Sequence, residues 1–200
     1  MPRTFDRRAI QDPAQIRLLS SPVRQELVDT LAALGGEASV ADLAEELGRP
    51  ADGLYYHLRA LCRGGLVREV AATEGDERRY RLAGTGDAPL RLAYRAGRAG
   101  NLGAVGGFAR GLLRVATRDF EQALKLEDVA LDGPRRELWT ARNKGWLSAR
   151  DVEEVNRLIE RLCELTSQPR APGREQLMSL SFVLAPIRAR AKRRAPSGTR

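Results

Sequence analysis

The stretch that decides the fold is SVADLAEELGRPADGLYYHLRALCRGGLVREV, residues 39–70, followed by AATEGDERRYRL, residues 71–82. Ser39, with Asp42 three residues later, is a capping-box pattern and predicts the start of a helix. The apolar residues of this helix recur at i, i+3, i+4 and i+7, as Val40, Leu43, Ala44 and Leu47. Gly48 predicts its end.

A second helix of the same kind follows at once. Pro50 is expected at its first helical position, which tolerates a residue without an N–H. The inward residues repeat the same spacing, as Leu54, His57, Leu58 and Leu61. Gly64 and Gly65 predict its end. Two short helices that meet across a turn of a few residues form a helix-turn-helix.

The residues after the second helix predict a β-hairpin, the wing. Leu66, Val67 and Val70 precede the polar, Gly-containing tip at residues 73–76, and Tyr80 and Leu82 return on the far side. Upstream, residues 15–19 predict a lead helix. Ser21 with Pro22 predicts a further helix, which ends at Gly35 and Gly36 and completes a three-helix core. The inward residues of that helix are Val23, Leu27, Leu31 and Leu34.

Residues 16–83 resemble the winged-helix domain of ArsR-type bacterial transcription regulators. The resemblance is to the branch whose second helix has the motif YYHLRAL, here residues 55–61, followed by GLV, residues 65–67. It covers about a third of the chain. It implies a homodimeric DNA-binding regulator, in the form of a repressor on a near-palindromic operator. Metal-sensing members usually have cysteines on the helix before the recognition helix, but residues 41–47 contain none. No metal or cofactor is therefore expected, and the alternative left open is a thiol-based or metal site at Cys62 near His57.

A recognition helix lies in the major groove with one face on the bases and the other on its own core. This geometry predicts DNA-contacting residues on the outward face of the second helix and on the wing: Ala51, Asp52, Tyr55, Tyr56, Arg59, Arg63, Arg78, Arg79 and Arg81. Two alternatives stay open: the tyrosines pack under the wing, or the wing arginines are solvated and balanced by Glu74, Asp76 and Glu77. His57 is assigned to the core.

The charge distribution weakens a simple electrostatic argument for DNA binding. The chain has a formal net charge of +8, but residues 1–85 hold twelve Arg and thirteen Asp or Glu, a net charge of −1. Residues 188–200 contain six basic residues and no acidic ones, which predicts a disordered tail. The near-neutral charge of residues 1–85 supports an alternative function, a winged-helix module for protein contact without sequence-specific DNA binding.

Residues 86–126 predict a helical connector, either one long helix or two in series from about Asp87 to Lys125. Its glycines are unfavourable in a helix, which indicates a close approach to another helix or a broken connector. Four small residues spaced by four form a candidate dimerisation ridge: Ala99, Gly103, Gly107 and Gly111.

Residues 127–187 predict a small α+β unit for dimerisation or ligand sensing. Residues 136–147 are expected to be extended, Ser148 with Asp151 predicts a capped helix to about Thr166, and the alternation in residues 178–184 predicts a strand. Trp139 and Trp146 form either a pocket for a small-molecule effector or the core of the unit. The fold class is thus α+β and mainly α, with domains at 1–85, 86–126, 127–187 and 188–200.

Other functions are excluded at this stage by what the sequence lacks. The single histidine lies in the recognition helix, and no nucleophile elbow or nucleotide-binding loop occurs, so no enzyme is expected. No signal peptide and no apolar run of about 18 residues is present, which predicts a cytoplasmic protein without membrane contact. Cys62 and Cys163 imply no disulfide framework. Double-stranded DNA and a second copy of the chain are the expected partners.

Overall fold

A computed structural model of the protein describes residues 9–70, 77–83, 91–92 and 99–187. It is a mixed, mainly helical fold with a three-stranded antiparallel sheet, in agreement with the coarse fold class expected from the sequence. The elements are β1 (Ala9–Ile10), α1 (Pro13–Leu18), α2 (Pro22–Ala33), β2 (Glu37–Ser39), α3 (Val40–Leu47), α4 (Ala51–Arg63), β3 (Val67–Val70), β4 (Arg79–Leu82), β5 (Arg91–Leu92), α5 (Ala99–Ala123) and α6 (Ala149–Thr166).

The helix-turn-helix is formed by α3 and α4. The predicted capping box is present, with Asp42 N donating to Ser39 Oγ at 3.1 Å and Ser39 N donating to Asp42 Oδ2 at 2.9 Å. Gly48 ends α3 in the left-handed conformation, at φ 58°. Pro50 is the N-cap of α4 at φ −59°, ψ 134°, so its expected place inside the first turn is wrong by one residue. Its fixed φ suits this extended cap, and the helix begins at Ala51.

The wing forms as predicted, and a third strand joins it. β4 pairs antiparallel with β3 on one side and with β2 on the other, giving the order β2-β4-β3. β2 was not predicted, because three residues that end at the helix N-cap Ser39 are too few to show a strand period. The predicted wing tip, residues 73–76, lies outside the described residues.

The glycine-containing segment is one continuous helix, α5, which packs against α1 and α2 of the same chain. The expectation of a helix starting near Asp87 is wrong at residues 91–92, which form β5 parallel to β1. The glycines permit a close approach. A Cβ on Gly107 would lie 2.8 Å from Ser20 Oγ, and one on Gly111 would lie 2.8 Å from the Ser20 carbonyl oxygen.

A buried carboxylate ties three parts of this core together. Glu26 on α2 is only 7% exposed and accepts hydrogen bonds from Arg49 at 3.2 Å and from Arg118 at 2.9 Å. Arg49 belongs to the turn between α3 and α4, and Arg118 belongs to α5. The hydrogen bond to Glu26 raises the pKa of the Arg118 guanidinium above its ordinary value, as expected for a cation held by a carboxylate.

The C-terminal part differs from the expected α+β unit. The predicted helix is present as α6, with a capping box between Ser148 and Asp151, and none of its residues is buried. The predicted strand at residues 178–184 is wrong within the single chain, since this stretch has no strand partner among the described residues. A strand is defined by its neighbour, and the alternating sequence does not say where that neighbour is. The predicted basic tail, residues 188–200, lies outside the described residues.

Gly111→Ala should destabilise the protein, whereas Gly103→Ala should stabilise it. The new Cβ at position 111 would meet the Ser20 carbonyl and the Gln25 amide at 2.8 Å, but nothing lies within 4 Å of one at position 103. We expect a loss of about 1–3 kcal/mol for the first and a gain of up to about 1 kcal/mol for the second. Urea unfolding followed by circular dichroism measures both. Equal effects would contradict the close packing of α5 on α1 and α2.

Glu26→Gln should lower the free energy of unfolding by about 2 kcal/mol or more, because it leaves two guanidinium groups facing a neutral amide. Glu121→Gln, at an exposed glutamate of α5, is the matched control and should change stability by less than about 0.5 kcal/mol. Chemical denaturation of the three proteins makes the comparison. A Glu26→Gln protein as stable as the control would show that this carboxylate does not hold the core together.

Candidate nucleic-acid interface

The outward face of α4 presents a continuous stripe of polar and aromatic side chains. Four of the predicted DNA-contacting residues share it at helical spacing and are exposed: Asp52, Tyr56, Arg59 and Arg63. The opposite face is buried in the core through Leu54, Leu58 and Leu61. Tyr56 is a large aromatic residue that is nevertheless 60% exposed. The two faces are therefore divided as a helix lying in the major groove requires.

The other two predicted residues of α4 lie at the edge of this stripe. Ala51 and Tyr55 are half-buried and pack against the hydrophobic core, which favours the packing alternative for Tyr55. The two adjacent tyrosines thus have different environments. The backbone carbonyl of Tyr55 also accepts a hydrogen bond from Arg59 Nε at 3.3 Å, and this bond holds the guanidinium close to the helix surface.

His57 lies on the inner side of α4, as expected from the sequence, and is half-buried. Burial lowers the pKa of its imidazole, and the positive charges of Arg24 and Arg49 lower it further. Its Nδ1 is buried without a hydrogen-bond partner among the described residues. The ring packs edge-on against Tyr56, with centroids 5.3 Å apart and planes at 77°. His57 therefore supports the exposed tyrosine from beneath.

The wing displays a row of charges across its three strands. Arg68 on β3 lies opposite Arg81 on β4, and Arg81 lies opposite Glu37 on β2. Two arginines directly across an antiparallel pair repel each other. Glu37 offsets this repulsion, because it forms an ion pair with Arg81 and a second one with Arg79, the latter at 3.0 Å. These two hydrogen-bonded arginines hold the pKa of the Glu37 carboxyl below its usual value.

The three predicted wing arginines are thus balanced, but by acids that the sequence analysis did not single out for them. Arg79 and Arg81 share Glu37, and Arg78 lies 3.6 Å from Glu69 on β3. Glu77, one of the expected counter-charges, instead accepts a hydrogen bond at 3.3 Å from the backbone N–H of Ala41 at the start of α3. All three arginines are exposed, so they remain accessible to a phosphate.

Sequence reasoning missed Arg68 and Glu37 as members of this surface. Arg68 could have been found from the hairpin, because successive side chains of a strand point to opposite faces. Arg68 follows the inward-facing Val67 on β3 and so lies on the outward face. Glu37 could not, because its position depends on the pairing of β2 with β4. Gly53 is also new. It lies exposed beside Asp52, with open space where a Cβ would be, so the backbone of α4 can be approached closely.

The predicted dimerisation ridge is placed on α5, and half of it contacts its own chain. Gly107 and Gly111 pack against Ser20 in the turn between α1 and α2, and Gly111 also packs against Gln25 of α2, while Gly103 faces open space. Ala99 begins the helix. A second helix could use Gly107 and Gly111 only by displacing contacts within the chain. Dimerisation through the ridge stays a prediction.

The two tryptophans predicted for a pocket or a core are both exposed. Trp146 is fully exposed, and Trp139 is covered on one side by the Arg136 guanidinium, 4.3 Å from the ring centroid. Within the described part of a single chain they line neither a closed pocket nor a core. The same described residues contain no group of three or more His, Cys, Asp or Glu suited to a metal ion. None of the described helices has the length and hydrophobicity that crossing a membrane requires.

Comparison with known proteins agrees with this geometry. Residues 19–70 match the model of a family described as a helix-turn-helix domain. The match includes α2, α3, α4 and β3 and ends before the returning strand of the wing. No curated protein matches the chain. A helix-turn-helix domain indicates a DNA-binding regulator of transcription in general.

Glu37→Gln should raise the affinity for any DNA duplex and steepen its dependence on salt. The substitution removes the negative charge that neutralises Arg79 and Arg81, so that more positive charge faces the phosphates. We expect an increase of about 3–10-fold at low salt that shrinks as salt is raised. Fluorescence anisotropy with a labelled duplex, from low to physiological salt, measures it.

Glu121→Gln makes the same change of charge on α5 and serves as the control for net charge. An equal gain in DNA affinity in both variants would show that the affinity depends on total charge and not on the charge of the wing face.

Proposed function

We propose that the protein is a sequence-specific, DNA-binding transcription regulator that acts in the cytoplasm as a homodimeric repressor on a near-palindromic operator. The observation that supports this most directly is the exposed stripe on α4, opposite the buried leucines and beside a wing whose outward face is rich in arginine. The proposal includes no catalytic step and no cofactor.

Each residue of the interface has a role that its chemistry suits. Arg59 and Arg63 can bind a guanine edge in bidentate fashion or neutralise a phosphate. Tyr56 offers a hydroxyl group and a ring that can lie against a thymine methyl. Arg68 and Arg81 on the wing supply phosphate contacts, which position the helix and carry no sequence information.

The modest charge of residues 1–85, which we call the reader, supports a homodimer. Residues 1–85 have a net charge of −1, so one copy neutralises few phosphates, whereas two copies on a two-fold-symmetric site double the contacts. A small-molecule effector that relieves repression is part of the proposal. Because Trp139 and Trp146 are exposed in one chain, an effector site formed by them would require a second chain to enclose it.

A second candidate function, a winged-helix module for protein contact, is favoured by one observation. The arginines of the wing are already paired with acids, and α3 exposes three more carboxylates, Asp42, Glu45 and Glu46. A surface of mixed charge is suited to a protein partner as well as to DNA. The experiment below separates the two functions.

Tyr56→Ala and Arg59→Ala should each weaken binding to the cognate operator by about 10–100-fold, with little effect on random DNA, because both residues lie on the outward face of α4, which the proposal places against the bases. The operator is sought first among duplexes from the protein's own promoter region, at near-physiological salt. Arg68→Ala should instead weaken binding to all duplexes about equally and reduce the salt slope by about 1.

Arg114→Ala, at an exposed arginine of α5, is the matched control and should leave specificity unchanged. If the wild-type protein binds no duplex better than random DNA, and the Tyr56 and Arg59 variants behave like it, the function in protein contact is supported instead.

A further inference from the structure

Exposed apolar side chains are concentrated in one part of the molecule. Seventeen of the twenty large hydrophobic residues that are exposed among the described residues lie between Leu124 and Ile187. Those on α6 occupy one side of an amphipathic helix: Val152, Leu158, Leu162 and Leu165, with the half-buried Val155 and Ile159 between them. Patches of this extent on a folded protein indicate a surface that another molecule covers.

Two further segments expose backbone groups as well as side chains. Residues 136–147 and 175–187 contain no helix, turn or bend, so their backbone runs extended. From residue 138 to 147 and from 175 to 187, no backbone-to-backbone hydrogen bond forms within the described chain. The second segment alternates Met178, Leu180, Phe182 and Leu184 on one side. Open strands of this kind are completed by pairing with another strand. We call residues 136–187 the arm.

The base of the arm is held in place. Glu137 accepts hydrogen bonds from the backbone N–H of Ala130 and from the side chain of Gln176, which joins the beginnings of the two extended segments. Arg170 donates from its backbone N–H to the Ala33 carbonyl at 3.2 Å, and its guanidinium lies 3.8 Å from Glu46. The arm is therefore anchored to α2 and α3 while its apolar surface stays open.

Residues 136–147, the first segment of the arm, cannot fold back onto the apolar side of α6 in the same chain unless a new turn forms. Residues 136–147 run straight into Ser148, the N-cap of α6, with no connecting loop. A strand that packs on the helix following it needs a loop of a few residues to reverse direction. The capping box between Ser148 and Asp151 fixes the junction as it is.

Charge identifies a partner for α6. The helix contains five acidic and three basic residues, a net charge of −2, whereas residues 136–147 contain three basic residues and one acidic residue, a net charge of +2. Two copies of α6 packed on each other would bring two acidic helices together, but α6 on residues 136–147 of another copy is complementary. The arm is also longer than the about 20–30 residues that one side of a stable interface uses.

We propose that the chain forms a dimer in which the arm of each copy packs against the arm of the other. The extended segments pair across the two copies into one sheet, and α6 of each copy packs on residues 136–147 of the other. This inference specifies the interface of the homodimer in the proposed function and rests on that function only for its biological use. A two-fold-symmetric exchange uses the same surface on both copies.

Sedimentation equilibrium on the full chain tests the proposal. The wild-type protein should be a dimer at about 10 μM, and the double variant Leu158→Glu/Leu162→Glu should raise the dimer Kd by about 100-fold or more. The matched control is Leu102→Glu/Leu113→Glu, at two exposed leucines of α5, which should remain dimeric. A wild-type monomer, a higher oligomer, or loss of the dimer in the α5 control would overturn the proposal, the last in favour of the α5 ridge.

Charge reversal tests the same interface without altering apolar residues. Arg142→Glu/Lys144→Glu changes residues 136–147 from +2 to −2 and should weaken the dimer, more at low salt than at high salt. Glu153→Lys/Glu160→Lys on α6 should weaken it likewise, and the combination of all four changes should restore it. Failure of the combination to recover affinity would rule out the pairing of α6 with this segment.

The two proposals fail in different ways. A wild-type protein that dimerises through its arms but does not discriminate between duplexes overturns the proposed function and supports the arm interface. A protein that binds its operator specifically, with a dimer unaffected by every arm variant, overturns the arm interface and supports the function.

Discussion

The structure depends on one buried carboxylate. Glu26 receives Arg49 from the turn of the helix-turn-helix and Arg118 from α5, so three segments distant in sequence meet at one side chain. Removing a carboxylate from water is unfavourable unless charged donors replace the water, and here two guanidinium groups do so. The angle between α3 and α4, and with it the direction in which the outward stripe of α4 points, is consequently tied to α5.

Around this point the molecule divides into a closed part and an open part. Residues 10–70, residues 77–83 and α5 share a core, with Gly107 and Gly111 allowing α5 to approach the turn between α1 and α2 closely. The arm has almost no buried residue, Leu138 being the exception. The closed part has the features of a DNA reader, and the open part has those of an interface between two copies. A link from Arg118 to the reader and from the arm to α2 and α3 would let assembly and DNA binding influence each other.

The electrostatics of the reader come from local pairing more than from net charge. The basic tail, residues 188–200, carries six of the net eight positive charges of the chain, whereas the wing keeps its arginines close to Glu37 and Glu69. In the proposed function such a surface would bind DNA weakly through phosphates alone, and discrimination would fall to Tyr56, Arg59 and Arg63 on α4. The exposed face of α4 is therefore a better guide to the function than the net charge of the chain.

Local signals in the sequence were sufficient for the helices and for most of the reader. Capping boxes at Ser39 and Ser148, the glycine stops and the apolar period act over a few residues, so they predicted α3, α4 and α6 and the outward position of Tyr56 and Arg59. Tertiary structure alone decided the pairing of β2 with β4, the burial of Glu26 between two arginines, the half-buried place of Tyr55 and the use of the α5 glycines within the chain. Each of these is a contact between residues far apart in sequence, and no local period or cap specifies such a contact.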